Sequence, residues 1–184
     1  ISFALDNFDR ENERKLAGDI LRTSEEKFSK TFHNSPNPIS ITKISDGKII
    51  EINDAFSRIT GYTREEAVGR TTVELGIWAN PVDRANFIAE LTEKGRVLDL
   101  ELLFRTKTNQ VTCLVSGEIV EIQSEQCLIA VIQDITSLKQ ALETIKEQNN
   151  FLNAIFENEP ECVKVVALNG ELTQMNRAGL AMLE

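Results

Sequence analysis

Catalytic and metal centres usually draw on histidine or on paired cysteines, and this 184-residue chain has one His and three Cys. His33 stands apart from the body of the chain, so no Ser/His/Asp order can be assembled around it. Cys113, Cys127 and Cys162 are widely spaced and form no CxxC pair. That spacing argues against a zinc site and against a disulfide framework, and points to a reduced, cytosolic setting. A glycine-rich phosphate loop is missing too. Positive charge is scarce: 20 Lys and Arg face 29 Asp and Glu, a net −9 that disfavours nucleic acid and direct contact with an anionic membrane. No apolar run approaches the roughly 20 residues of a membrane span, and the first residues show no signal-peptide pattern. Aromatic residues are mostly Phe, with only Trp78 and Tyr62 besides. These absences leave a regulatory or binding chain rather than an enzyme. Its length accommodates one domain of roughly 110 residues with flanking segments.

What is present repeats. Asn34, Pro36, Gly47, Asn53 and Ala55 recur as Asn158, Pro160, Gly170, Asn176 and Ala178, one residue being dropped before the second glycine. Ile39, Ile41, Ile50 and Ile52 fall on Val163, Val165, Thr173 and Met175, a partial match. So long a period implies tandem domains rather than a solenoid, the second copy being only begun by Glu184. The expected organisation is a helical linker over 1–22, a complete domain over 23–136, a helix over 137–157 and the opening of a second domain over 158–184.

Residues 1–32 read as helix, with Ile1, Leu5, Phe8 and Asn12 at coiled-coil spacing. Gly18 and the capping-box pattern Thr23 to Glu26 predict a break and a fresh start there. Pro36 and Pro38 end the second segment. Ile39 to Ile44 and Lys48 to Ile52 are strands around an Asp46-Gly47 turn. Asn53 or Asp54 caps a short helix that Gly61 closes, and Thr63 to Glu66 forms another capping box. A third helix is predicted from Pro81 to Lys94, with Gly95 as its stop. Leu98, Leu100, Leu102 and Phe104 alternate with Asp99, Glu101 and Arg105, a half-buried strand. Val111 to Ile122 and Gln126 to Asp134 follow as strands. The last is apolar almost throughout, which predicts cover on both faces, the second from the Phe28/Phe32 helix or another subunit.

Beyond it, Leu138, Leu142, Ile145, Asn149, Leu152 and Phe156 are spaced four, three, four, three, four. This is a heptad seam with Asn149 at a core position, where Asn fixes register and strand number at a cost in stability. The other reading is a single amphipathic helix docked on its own domain. The seam makes a homodimer the expected state.

The element order resembles that of the PAS domain. The residues that carry the resemblance are Gly47 with Ile49 to Asn53, Ala55-Phe56, Gly61-Tyr62, Glu65-Glu66 and Val68-Gly69-Arg70. Asp134-Ile135-Thr136 matches the exit motif before a signalling helix, and Glu74 to Trp78 with Asp83-Arg84 is similar to a bacterial subfamily. The resemblance implies an α+β fold: a five-stranded antiparallel sheet with short helices on one face, flanked by N-terminal helices and a C-terminal coiled-coil helix. It also implies a sensor and dimerisation module of a bacterial multidomain signalling protein. Ile1 to Asn12 resembles the closing helix of a GAF domain, and Asn158 to Glu184 the opening of a second PAS domain. Strings of that kind end in diguanylate cyclase and phosphodiesterase domains or in a histidine kinase.

The cofactors that the resemblance brings were set against the residues. Haem wants an axial ligand, and His33 lies before the first strand. Thr63 to Val73 holds no Cys for a flavin photoadduct. A non-covalent flavin against Trp78 is the alternative, although the favoured reading of Trp78 is a core plug between the helical segment and the sheet. No cofactor is expected. A small molecule would need only an apolar cavity with a few polar groups. Candidate lining residues are Ile41, Phe56, Ile59, Leu75, Trp78, Phe87, Leu91, Leu102, Val115 and Ile129, with Thr112, Ser116 and Gln133 as polar candidates. The relay falls to Asp134, Ile135 and Thr136, Asp134 being placed to cap the amides that follow it.

Overall fold

The structure, a computed structural model, describes residues 2–183, with side chains over 14–183. The side chains of Ile1, Leu5, Phe8 and Asn12, on which the coiled-coil spacing and the GAF-like match rest, fall outside that range. The chain divides into two compact units, 1–135 and 136–184.

In the first unit, α1 (Ser2–His33) runs to the sheet. Next come β1 (Ile39–Lys43), β2 (Ile49–Ile52), α2 (Asp54–Thr60), α3 (Arg64–Ala67) and α4 (Pro81–Lys94). The strands β3 (Arg96–Arg105), β4 (Gln110–Ile122) and β5 (Glu125–Asp134) complete it. The sheet is antiparallel in the order β2-β1-β5-β4-β3, so the apolar β5 lies at its centre.

Local chemistry explains most boundaries. The Asp46 carboxylate accepts from the Lys48 amide and Gly47 takes φ 71°, which turns β1 into β2. The Thr63–Glu66 capping box is formed in both directions. Asn80 caps α4 ahead of Pro81, and Gly95 ends it in the left-handed region at φ 74°. Arg64 clasps Glu51 through two contacts of 2.6 Å and ties α3 to β2, which holds the Glu51 carboxyl below its ordinary range.

Two expectations are corrected. The helix α1 does not break at Gly18 or restart at Thr23, so a single helix precedes the sheet. Thr23 donates its hydroxyl back to the Asp19 carbonyl at 2.8 Å, the bond of a mid-helix threonine, not of a cap. One glycine costs a helix only about 1 kcal/mol relative to alanine, too little to divide it. In β3 the alternation changes phase: Val97 is buried while Leu98 is exposed. Asp99 adopts φ 51° at a bulge, donates its amide to the Ser116 hydroxyl and accepts from it through its carboxylate.

The core lies between one face of the sheet and the helices, around Ile52, Phe56, Phe87, Leu91, Phe104 and Val115. A smaller cluster on the opposite face joins Phe32 of α1 to Ile41 and Cys127. Phe32 thus supplies the second cover for β5, with Phe28 stacked on it at 5.5 Å. The cover is partial, since Phe28 and Val131 stay exposed.

In the second unit, α5 (Thr136–Asn158) is followed by a hairpin of β6 (Lys164–Val166) and β7 (Leu172–Met175) and by α6 (Arg177–Ala181). Its turns reproduce those of β1 and β2. Gly170 takes φ 87° as Gly47 takes 71°, and the Asn169 side chain accepts from the Glu171 amide as Asp46 does from Lys48.

Candidate functional site

Two constructions in this fold are built from polar groups held inside apolar surroundings. The first is Asn53, which is 1% exposed. Its Oδ1 accepts from the amides of Ile39 at 2.9 Å and Phe56 at 3.0 Å. Its Nδ2 donates to the carbonyls of Phe32 at 3.1 Å and Asn37 at 2.8 Å. One side chain therefore joins the end of α1, the start of β1 and the start of α2. Asn176 repeats the arrangement in the second unit. Its Oδ1 accepts from Val163 and Gly179 amides, and its Nδ2 donates to the carbonyls of Glu159 and Glu161. The repeat read from the sequence is thus a repeat of bonding pattern. From the sequence Asn53 is legible as a repeated residue and as a cap; its bonds to α1 and β1 needed the positions of Phe32 and Asn37.

The second construction is a cavity of about 300 Å³ inside the first unit, at the small end for ligand sites. Ala130, Ile132 and Val115 of the central strands line it on one side, and Phe87 and Leu91 of α4 on the other. Phe56, Ile77 and Trp78 close an end. Its opposite end lies between the β1–β2 turn, Ile44 to Gly47, and the α4 residues Arg84, Ile88 and Thr92, which recur every four positions along one row of the helix. Ser40 and Thr42 point in from β1.

Of the ten candidate lining residues, the cavity brings together Phe56, Trp78, Phe87, Leu91 and Val115. Ile59, Leu75 and Leu102 belong to the core around it but do not line it. Ile41 and Ile129 are corrected outright: both pack on the other face of the sheet, near Phe32 and Cys127. A strand alternates with period two, so the residues of β1 that face the cavity are the polar Ser40 and Thr42. Thr112, Ser116 and Gln133 do not line it either, and Ser116 is committed to Asp99. Gly117 was missed. A Cβ there would lie 2.9 Å from Leu128 Cδ1 and 3.0 Å from Phe87 Cζ, so the bare backbone lets Phe87 approach β4. A glycine in a strand interior is the sequence signal for such an approach.

Asp134 ends β5 opposite Cys113. Ile135 is buried and donates its amide to the Thr112 carbonyl at 2.9 Å, and Thr136 opens α5. The seam positions Leu138, Leu142, Ile145 and Leu152 are exposed within the second unit, and so is Asn149. Phe156 is partly covered and lines a groove with Val163 and Gln174 of its own unit. The apolar surface is broader than the strict seam, since Phe151 and Ile155 are exposed beside it.

The profile of the PAS domain family matches residues 36–137. The chain belongs to the PAS domain family. This PAS chain is 27% identical over 131 residues to the sensor histidine kinase TmoS of Ectopseudomonas mendocina, a match covering 69% of the chain and 13% of TmoS. The chain thus spans about an eighth of that curated relative. Its fold is similar to that of the PAS domain of an HTR-like protein from Haloarcula marismortui, with TM-score 0.54, 22% identity, and coverage of 66% of this chain and 99% of that one. A PAS domain from a two-component sensor histidine kinase aligns with TM-score 0.53 and 16% identity over 61% of this chain and 97% of that one.

The residues of this PAS domain can be tested against the cofactors weighed above. A cysteinyl-flavin adduct does not fit, because no cysteine lines the cavity. Trp78 donates its indole N–H to the Thr72 hydroxyl at 3.0 Å and packs against Phe87 and Phe104, which fixes its ring as part of the wall. His33 hydrogen-bonds Asp54 at 3.1 Å outside the cavity, so it is no axial ligand there. Among the described residues, no group of three or more His, Cys, Asp or Glu is placed to hold a metal, and no helix is long and apolar enough to cross a membrane.

Burial pushes the Cys113 thiol up to about 12, with the Asp134 carboxylate adding to the shift, so Cys113 stays protonated near neutrality. Cys127 is buried and Cys162 exposed. In the native chain, a chromogenic disulfide reagent at neutral pH is expected to titrate one thiol quickly, Cys162, and the other two only after unfolding. Two fast equivalents would mean that one of the strand thiols is open to solvent.

Proposed function

We propose that this PAS chain is a sensor and dimerisation module in which a small ligand in the cavity alters β5, and β5 passes the change through Asp134, Ile135 and Thr136 into α5. The observation that carries the reading is the position of β5. Its residues Leu128, Ala130 and Ile132 line the cavity, and the same strand runs without a break in sequence into the exposed seam helix. A perturbation at the cavity therefore meets the one strand whose end begins that helix. At about 1.5 Å per residue, the 23 residues of α5 span about 35 Å. Paired with a second copy along Leu138, Leu142, Ile145, Asn149 and Leu152, the helix can carry a rotation or a register change.

The role is regulatory rather than catalytic and belongs in the cytoplasm. Residues 158–184 begin a second PAS domain, a reading supported by the repeated asparagine bonds. The likeness to a sensor histidine kinase supports a kinase as the output domain of the whole protein, in preference to a diguanylate cyclase.

A cavity-filling variant tests the relay without any knowledge of the ligand. Ala130→Leu places extra bulk from β5 into the cavity, and amide hydrogen exchange of the full chain is then read over residues 136–145. Altered protection there, beside altered protection in β5, is the expected result. A change confined to β5 and α4, with the first turns of α5 untouched, would overturn the relay.

A further inference from the structure

Resting on the reading that the cavity binds a ligand, we infer that this ligand is a small amphipathic carboxylate, held with its charged end on Arg84 and its apolar body against Phe56, Trp78 and Phe87. The charges at the open end decide the sign. Lys43 is paired with Glu125 at 2.7 Å, and Asp46 stands 3.9 Å from Lys48. Arg84 has no ion pair among the described residues and lines the cavity partly buried. Of the charged residues that line the cavity, Lys43 and Arg84 are positive and Asp46 is negative, a balance of one positive charge on a chain whose net charge is −9. An anion is repelled by the chain as a whole and drawn to this place.

The form of the anion follows from the lining. A guanidinium presents two parallel N–H donors that match a carboxylate and lose little freedom on binding it. A compact inorganic anion on Arg84 would leave the aromatic part of the cavity unfilled. There Trp78 meets Phe104 at 5.1 Å and Phe87 at 5.9 Å, an arrangement that takes an aryl or short alkyl body. The Ser40 and Thr42 hydroxyls lie on the β1 wall, where they can meet the second carboxylate oxygen or a water on it. The β1–β2 turn also comes close to Arg84: a Cβ on Gly47 would lie 4.0 Å from its Nη2. That is ordinary contact distance, and the glycine is required by the turn's φ of 71° and not by the closeness of Arg84.

The probes are 3-phenylpropanoate, its uncharged amide, and ethylbenzene, titrated calorimetrically into the full chain, wild type and Arg84→Gln. The acid is expected to bind at least about tenfold more tightly than the amide, and Arg84→Gln to erase that preference by weakening the acid far more than the amide. Arg84→Lys, which keeps the charge and loses the fork, is expected to fall between them. It decides the matter if the glutamine variant unfolds at a lower temperature than wild type. Equal binding of acid and amide, or a preference that survives Arg84→Gln, overturns the inference and leaves the cavity as a ligand site. If neither acid, amide nor ethylbenzene binds, the inference and the reading beneath it both fall.

Discussion

Replacing Asn53 by leucine is expected to lower the unfolding free energy of the first unit by about 3–5 kcal/mol, because a buried side chain with four hydrogen bonds is replaced by one that makes none. The four partners do not suffer equally. The Phe56 amide also donates to the Asn53 carbonyl, and the Asn37 carbonyl also accepts from Ser35 Oγ. The Ile39 amide and the Phe32 carbonyl lose their side-chain partner, each at about 1–3 kcal/mol. Loss of the α2 cap adds about 1 kcal/mol. Domains of this size have about 5–15 kcal/mol in all, so the variant gives up a large fraction of the stability of the unit. Urea unfolding followed by the fluorescence of Trp78, in the first unit, measures it. Asn176→Leu removes the same bonds from the second unit and should leave that transition in place. A midpoint for Asn53→Leu within the error of the wild type would mean that the four contacts are not the clamp described. Asn53→Asp separates the two halves of the clamp, keeping the acceptor and losing both donors to Phe32 and Asn37. It should fall between wild type and the leucine variant.

The same asparagine shows what the sequence could and could not reveal. Turns and caps were legible because each depends on a residue and its near neighbours: Asp46-Gly47, Thr63 to Glu66, Gly61 and Gly95 all stand where their chemistry predicts. Faces of strands were harder. Ile39 and Ile41 are apolar and Ser40 and Thr42 polar, so ordinary alternation puts the isoleucines toward the main core. The structure does the reverse. Phe32 covers the other face and requires apolar partners there, whereas the main-core face of β1 borders a cavity and tolerates hydroxyls. The pattern alone cannot tell a strand with one wet face from a strand whose polar face lines a cavity. Leu98 was misplaced for a related reason, because a single bulge at Asp99 reverses every side chain before it. In α1, local signals pointed to a break, but a long helix overrides one glycine. Of the cavity's aromatic residues, Phe56, Trp78 and Phe87 were legible by their type and Phe104 was not; its polar mouth was not legible either, because Arg84, Asp46 and Thr92 are brought together only by the packing of α4 across the β1–β2 turn.

Substituting lysine at both Ile145 and Leu152 is expected to abolish self-association, raising the dimer dissociation constant by about 150-fold to about 25,000-fold. The seam leucines and isoleucine are 54–65% exposed within the unit, so a partner helix has more than half of each side chain still to cover. Full burial of such a side chain stabilises by about 1.5–3 kcal/mol. A symmetric dimer loses four of them, which after allowing for the part already covered comes to about 3–6 kcal/mol. Lysine is a good helix former, so α5 should survive as a helix and the loss should be one of pairing. Sedimentation velocity with circular dichroism separates the two. A double variant that remains dimeric would move the contact elsewhere, the exposed Leu16, Ile20 and Phe28 of α1 being the other apolar surface. For two copies paired along this seam, the flanking residues favour one direction. Counting Leu138 as position d and Leu142 as a places Lys139 and Lys146 at e, with Ala141 and Gln148 at g. Antiparallel helices set e against e, lysine facing lysine, whereas parallel helices set Lys146 against the neutral Ala141 of the partner. Parallel pairing therefore avoids the like charges, and it also brings Asn149 opposite its own copy. Asn149→Cys in a Cys162→Ser background should then cross-link to a covalent dimer under mild oxidation, since equivalent core positions meet only when the helices run the same way. Cross-linking lost together with the seam in the lysine variant would tie the orientation to α5 itself. An uncross-linked dimer would mean that the helices run in opposite directions, and a rotation carried along α5 would then reach the two output ends from opposite sides.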